Sequence, residues 1–300
     1  MIKTAWVFPG QGSQAVGMGM DLQDIAIAQA KFEAAEKILG WSVLDMCQGE
    51  EETLGLTLYT QPCLYVVESI LADLLVEKLG SPDLLAGHSL GEYVALYAAG
   101  VFDFESGLRL VKKRAELMDG AAGGKMAALM KFDRSELTTA LKNTPGVVLA
   151  NDNSEAQVVI SGTPEAVEDI LGKVKAKRKM KINVSGAFHS PLMQDAADQF
   201  LAVLNSVSFS DAQIPVLSNV DPTPTTDQQE LKKRLAQQMT SSVRWREIML
   251  QFSQSEVTNI IEVGPGKVLC GLIKRTCREI KLEAIGTAEQ LNAKTLALTS

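Results

Sequence analysis

Ser89 stands between two glycines in Gly87-His88-Ser89-Leu90-Gly91, which is the G-x-S-x-G spacing of a nucleophile elbow. The chemistry on offer is covalent catalysis: a serine hydroxyl attacks a carbonyl carbon and holds the acyl group as an ester. Glycine suits both flanks because such a serine sits on a strained strand-to-helix turn, where neighbouring Cβ atoms would collide. The run Asp83–Ala86 before it reads as a strand, and Glu92–Ala99 after it reads as a helix. A helix placed there directs free backbone N–H groups toward developing negative charge. A plain glycine-rich βα turn is the competing reading, and the strand–turn–helix frame favours the nucleophile.

A serine hydroxyl needs a base to be nucleophilic at neutral pH. The chain has two histidines, His88 and His189, so elimination is informative. His88 adjoins Ser89, and on a sharp elbow the preceding side chain does not easily fold back onto Oγ. His189 lies a hundred residues on, in a loop rich in small and turn residues. Sequence distance is no obstacle, because catalytic partners meet only in the fold. A satisfied structural histidine is the alternative.

Groups that could bind the electrophile come from two other places. The loop Pro9-Gly10-Gln11-Gly12-Ser13 ends an apolar strand, so its backbone can add an oxyanion donor to that of Leu90. Its glycines, with Gly17, miss the GxGxxG spacing of dinucleotide binding. Arg114 lies three or four residues from Leu110, Val111, Leu117 and Met118, on or beside the apolar face of a helix. A charge in that position wants a carboxylate, and no partner is evident. Snorkelling or internal pairing stays open.

The elements that must position these groups follow from the spacing of apolar residues. Thr4–Phe8 reads as a buried strand stopped by Pro9-Gly10, and helical periodicity follows over 26–39 and 64–79. Strands alternating with helices imply βαβ units and a mainly parallel sheet. Beyond Gly123-Gly124 the character changes. Strand 125–130, helix 134–141, strands 147–150 and 157–160 around a turn at Asn151-Asp152-Asn153-Ser154, a helix capped by Thr163-Pro164, and strand 179–184 follow in turn. That βαββαβ order is ferredoxin-like. Residues 125–186 are therefore expected to form a small subdomain inserted in a larger one built from 1–124 and 187–300. Helix 192–204, strand 215–220, a helix up to Met239 and strand 259–263 complete the larger part.

Bulk properties narrow the class. With 46% hydrophobic and 22% charged residues, the chain reads as an ordinary globular protein. A net charge of −7 excludes the basic footprint of a nucleic-acid binder. Four cysteines without a CxxC, and two histidines, complete no common zinc pattern. Reduced thiols in a cytoplasmic protein are the simplest expectation. The apolar run near the start is too short for a signal sequence. Glu68 and Asp73 interrupt the most apolar helix, so no membrane span is expected.

Four segments together resemble one family. They are Phe8-Pro9-Gly10-Gln11-Gly12-Ser13-Gln14, Gly87-His88-Ser89-Leu90-Gly91-Glu92-Tyr93, Gly186-Ala187-Phe188-His189-Ser190 and Glu262-Val263-Gly264-Pro265-Gly266. In order and spacing they are similar to malonyl-CoA:acyl carrier protein transacylases over about residues 1–280. The resemblance implies an α/β-hydrolase-like domain with a ferredoxin-like insertion. It implies that Ser89 takes the malonyl group, that His189 is its base, and that Arg114 pairs with the malonyl carboxylate. Backbone amides of Gln11 and Leu90 would form the oxyanion hole. Gln238 matches a glutamine near the catalytic histidine, although Thr240-Ser241-Ser242 departs from the aromatic–Asn–Pro usual there. Phe188 is similar to the residue that crowds out a 2-methyl branch, and Gln61 in Thr60-Gln61-Pro62 matches a further motif lining the site.

On this resemblance malonyl-CoA and acyl carrier protein are the partners, the phosphopantetheine belonging to the carrier. No cofactor or metal is expected, and the enzyme is expected to act as a monomer that feeds fatty-acid elongation. A stand-alone acyltransferase of a polyketide synthase and a serine thioesterase or esterase are the other readings.

Overall fold

A computed structural model describes residues 3–299. In chain order its strands are β1 (Thr4–Phe8), β2 (Leu84–Gly87), β3 (Lys125–Phe132), β4 (Val147–Ser154), β5 (Gln157–Gly162), β6 (Ala176–Ile182), β7 (Val216–Leu217), β8 (Asn259–Val263) and β9 (Lys281–Ile285). Its α-helices are α1 (Ala26–Leu39), α2 (Val43–Gln48), α3 (Glu51–Leu54), α4 (Thr57–Leu79), α5 (Gly91–Ala98), α6 (Phe104–Asp119) and α7 (Arg134–Lys142). They continue with α8 (Pro164–Lys173), α9 (Gln194–Ser206), α10 (Gln228–Gln238), α11 (Trp245–Gln254), α12 (Val268–Thr276) and α13 (Ala288–Thr299).

Five strands form a parallel sheet in the order β7-β2-β1-β8-β9, with β1 at its centre. Buried on both faces, β1 is apolar almost throughout: Ala5, Trp6, Val7 and Phe8 are each 2% exposed or less. Because the strands are parallel, their C-terminal ends gather at one edge, where ligands of open α/β sheets bind. Phe8 pairs with Gly87, and the loop after β1 therefore faces the elbow after β2. β7 is two residues long, shorter than the run 215–220 suggested, and its partner on the far side is a bridge to Thr225.

Four antiparallel strands form the second sheet in the order β4-β5-β3-β6, the ferredoxin-like arrangement expected from βαββαβ. Helices α7 and α8 cover one face over their own core of Leu129, Leu137, Ile160, Val167 and Ile170. Met126, Ala128 and Val159 turn the other way, into the core of the larger part.

Asn151-Asp152-Asn153-Ser154 is not a turn. It is the second half of β4, and the chain reverses at Glu155-Ala156. The turn preference of Asn and Asp is overridden because their groups are claimed elsewhere. Asp152 accepts from Arg134 at 3.0 Å and Arg246 at 2.9 Å, and its backbone N–H donates to Val243. Helix α4 also begins earlier than periodicity indicated, running through Pro62 from Thr57. Among the described residues no helix is long and apolar enough to cross a membrane.

The elbow itself rests on three backbones in near contact. A Cβ on Gly87 would lie 1.9 Å from the carbonyl group of Gly91, and one on Gly91 would lie 2.0 Å from the Phe8 oxygen. Between them Ser89 adopts φ 52°, in the left-handed region. Gly271, by contrast, has open space around its Cβ position and lies exposed in α12. Gly91→Ala should therefore destabilise by about 3 kcal/mol or more through overpacking. Gly271→Ala should stabilise by up to about 1 kcal/mol through helix propensity. Denaturant midpoints of the two variants check the pair.

Candidate active site

The elbow and the loop after β1 meet at a cleft of about 320 Å³, lined by Gln11, Gln61, Ser89, Leu90, Arg114, Phe188 and His189 among others. Seven of the eight residues singled out from sequence thus share one cavity. Gln238, the eighth, lies behind them, buried at 1% exposure.

Ser89 Oγ is 2.8 Å from His189 Nε2. His189 Nδ1 lies 3.0 Å from the backbone carbonyl of Gln238. A carbonyl oxygen only accepts, so Nδ1 carries the proton and the Nε2 lone pair faces the serine hydroxyl. The imidazole is thus oriented by a main-chain carbonyl instead of a carboxylate. Burial, with the Arg114 charge adding to it, pushes the His189 pKa down to about 3. The imidazole is therefore neutral at physiological pH, as a proton acceptor must be. His189 also has positive φ, at 56°, a second strained residue facing the first.

His88 is turned away. Its Nε2–H donates to Asn153 Oδ1 at 2.8 Å, and its ring packs against Trp245 with centroids 5.4 Å apart. Burial lowers its pKa also. It tethers the elbow to β4.

Arg114 is fully buried on α6. It donates to Gln61 Oε1 at 2.7 Å, Ser89 Oγ at 2.9 Å and Gln238 Oε1 at 3.1 Å. Its Nε–H has no hydrogen-bond partner among the described residues, and its guanidinium lies 5.3 Å from the centre of the Tyr93 ring. Among the described residues no carboxylate is within ion-pair distance of it. Burial lowers its pKa, opposed by Tyr93 and Glu92. A desolvated cation that faces a cleft, with no carboxylate beside it among the described residues, has the chemistry to take an anionic group.

Behind the cleft lies a polar network that sequence did not reveal. The Asn219 side chain accepts from Ser89 N–H at 2.7 Å and donates to the Gly87 carbonyl at 2.6 Å. Glu92, with no exposed surface to speak of, accepts from Asn219 N–H and from Gln238 Nε2. Gln238 Nε2 also donates to the Ser89 carbonyl at 2.9 Å. The one available signal was Glu92, an acid in the otherwise apolar stretch Gly91–Leu96, which must be partnered if that helix is buried. Burial raises its pKa, against the hydrogen bonds it accepts. Asn219 carried no signal at all.

Phe188 packs at the cleft wall, 5% exposed. Gln11 is anchored through its side chain to Thr57 Oγ at 3.1 Å, which fixes its backbone beside the elbow. Among the described residues no group of three His, Cys, Asp or Glu side chains is placed to hold a metal ion.

Comparison with known proteins follows this geometry closely. Residues 5–297 match the acyl transferase domain family. A malonyl CoA-acyl carrier protein transacylase of Synechocystis sp. is 60% identical over 292 residues, covering 97% of this chain and 100% of that protein. The crystal structure of the Synechocystis malonyl-CoA:ACP transacylase superposes with TM-score 0.96 over 97% of this chain and 100% of its own, at 60% identity. A malonyl-transacylase solved in complex with a type II polyketide acyl-carrier protein is 36% identical with TM-score 0.92, over 98% and 99% of the two chains. Likeness of this extent, in sequence and backbone together, leaves no part of the elbow's framework outside it: the chain belongs to the acyl transferase family.

Proposed function

We propose that this protein transfers a malonyl group from malonyl-CoA to the phosphopantetheine thiol of acyl carrier protein. The observation that carries the reading is Arg114, a buried guanidinium 2.9 Å from the Ser89 hydroxyl with no carboxylate to pair with among the described residues. An acyl group ending in a carboxylate meets that need, and the family and the relative named as a malonyl CoA-acyl carrier protein transacylase support it. The two parts of the chain take the division 1–124 with 187–300 for the catalytic unit and 125–186 for the insertion. The cytoplasm is the proposed compartment, and fatty-acid chain elongation the proposed use of the product.

In this mechanism the malonyl carboxylate sits on Arg114. Ser89 Oγ attacks the thioester carbon as His189 Nε2 takes its proton. The tetrahedral oxyanion rests on the backbone N–H groups of Gln11 and Leu90. The carbon–sulfur bond breaks, and His189 returns the proton to the departing CoA thiol. The carrier's thiol then attacks the malonyl ester by the same path in reverse, giving ping-pong kinetics. The neutral His189 tautomer fixed by the Gln238 carbonyl serves both halves. Phe188 narrows the cleft beside the α-carbon, and Gln61 holds Arg114 in place. No cofactor or metal takes part in these steps. A thioesterase or esterase would use the same elbow but let water take the acyl group; a polyketide carrier would present the same thiol.

Intact mass after incubation with malonyl-CoA alone tests the central step. One malonyl mass should appear and persist until carrier protein is added, and Ser89→Ala should show none. Rapid hydrolysis of the adduct without carrier would instead favour the thioesterase.

Acetyl-CoA lacks the carboxylate and would leave Arg114 unpaired in the acylated enzyme. Breaking a buried pair costs about 3–5 kcal/mol, or roughly 10²–10³-fold in rate. Arg114→Ala should lose malonyl transfer by about that factor while keeping or gaining acetyl transfer. Arg114→Lys should fall between, since charge survives and the planar fork does not. The ratio of kcat/KM for the two donors decides it; an unchanged ratio removes Arg114 from recognition.

The pH dependence follows from His189. The base works as neutral imidazole, so a pKa depressed to about 3 extends activity toward acid. The kcat/KM for acylation should stay flat well below the ordinary histidine midpoint of about 6.5. A limb centred near that value would show that burial does not depress His189.

A further inference from the structure

Glu92 takes no part in the transfer steps, yet it is 1% exposed and carries a carboxyl group beneath the elbow. It stands in the first turn of α5, where a carboxylate can simply complement a helix N-terminus. Its hydrogen bonds run elsewhere. Glu92 Oε2 accepts from the Asn219 backbone N–H at 3.1 Å and from Gln238 Nε2 at 2.7 Å, partners 127 and 146 positions along the chain. One oxygen thereby joins α5 to the end of α10 and to the segment that follows β7.

Between them these two partners touch Ser89, His189 and Arg114. The Asn219 side chain holds the Ser89 N–H at 2.7 Å and the Gly87 carbonyl at 2.6 Å. Gln238 donates through Nε2 to the Ser89 carbonyl at 2.9 Å and accepts at Oε1 from Arg114 at 3.1 Å. Its backbone carbonyl takes His189 Nδ1–H at 3.0 Å. A primary amide has a donor end and an acceptor end, so the direction in which Gln238 lies matters. As it lies, Nε2 directs its hydrogens to oxygens of Ser89 and Glu92, and Oε1 is left for the guanidinium. Turned over, the amide would set its oxygen against those two oxygens and its N–H groups against those of Arg114. Of the three contacts that oppose this reversal, the one to Glu92 is the shortest.

We propose that Glu92 is a positioning residue for acyl-group selection: by fixing the direction of the Gln238 amide it keeps an acceptor on Arg114 and holds the guanidinium in place for the acyl carboxylate. Through Asn219 it also steadies the elbow, an effect that every acyl donor feels alike. This rests on the reading of malonyl-CoA as donor and goes beyond it, since Glu92 does not line the cleft.

The test measures acylation of Ser89 by malonyl-CoA and by acetyl-CoA in Glu92→Met and Glu92→Gln. Methionine keeps a similar length and helix propensity and removes the acceptor. Glutamine keeps the shape and a neutral acceptor, but its own NH₂ group lets the two amides turn over together. Losing a hydrogen bond to a charged group corresponds to roughly ten- to a hundredfold. In Glu92→Met, kcat/KM should therefore fall about a hundredfold with malonyl-CoA and about tenfold with acetyl-CoA, lowering the malonyl preference about tenfold. In Glu92→Gln the preference should fall about threefold. Circular dichroism and melting temperature report the folded fraction, and a merely structural role scales both donors alike. A preference unchanged or raised in the folded variants, whether or not the rates fall, overturns the proposal. Should Glu92→Met not fold, the ratio in Glu92→Gln decides. If wild-type Ser89 is acylated by neither donor, or without preference for malonyl-CoA, the proposed function fails. If the wild type prefers malonyl-CoA and the variants keep that preference, only the role of Glu92 fails.

Discussion

Three backbones converge within van der Waals limits where β1 and β2 end, and the site is built outward from that convergence. Gly91 lies so close to Phe8 and Pro9 that a single methyl group would overlap a carbonyl oxygen. The close approach sets the helix α5 directly over the sheet edge, and the turn between must then be sharp enough to force Ser89 to positive φ. That strain is held by hydrogen bonds on both sides of the serine. Asn219 takes its N–H and reaches back to Gly87, while Gln238 binds its carbonyl. The serine hydroxyl is exposed to the cleft because its backbone is not free to turn elsewhere.

Burial of the site governs its electrostatics. Burial drives every titratable group there toward its neutral form: His189 and Arg114 downward, Glu92 upward. For His189 this yields a neutral imidazole, able to accept a proton, with a main-chain carbonyl behind it. For Arg114 the charge survives, since guanidinium groups are not deprotonated in proteins, and the desolvation cost is left for a ligand to offset. Gln238 separates Arg114 from Glu92, accepting from one and donating to the other. Replacing that amide by a direct ion pair would satisfy the arginine internally and remove its demand for an anion.

The inserted sheet adds to the site without supplying Ser89 or His189. Strand β4 reaches the elbow through Asn153 and His88, and the larger part through Asp152, Arg246 and the Val243 backbone. These contacts fix one wall of the cleft. The same subdomain also holds a self-contained apolar core beneath α7 and α8, which is why its βαββαβ pattern stands out in the sequence.

Several features were legible from sequence because they are local. The elbow needs its two glycines whatever surrounds it, and strand, turn and helix follow one another within seventeen residues of chain. With two histidines in the chain, and His88 set aside because it adjoins Ser89 on the elbow, His189 was the candidate base. Amphipathic spacing put Arg114 on or beside the apolar face of its helix. What sequence could not supply was anything decided by distant backbone. The turn expected at Asn151–Ser154 became strand because Val243, Arg134 and Arg246 claimed its polar groups from other segments. Asn219 became the brace of Ser89 because β7 ends beside β2. The tautomer of His189 was set by a carbonyl 49 positions away. The sequence by itself determined which residues can do chemistry, since residue type and local turn geometry are encoded in adjacent positions. Only the tertiary structure decided their partners and protonation, since hydrogen bonding and desolvation depend on which remote groups the fold brings within about 3 Å.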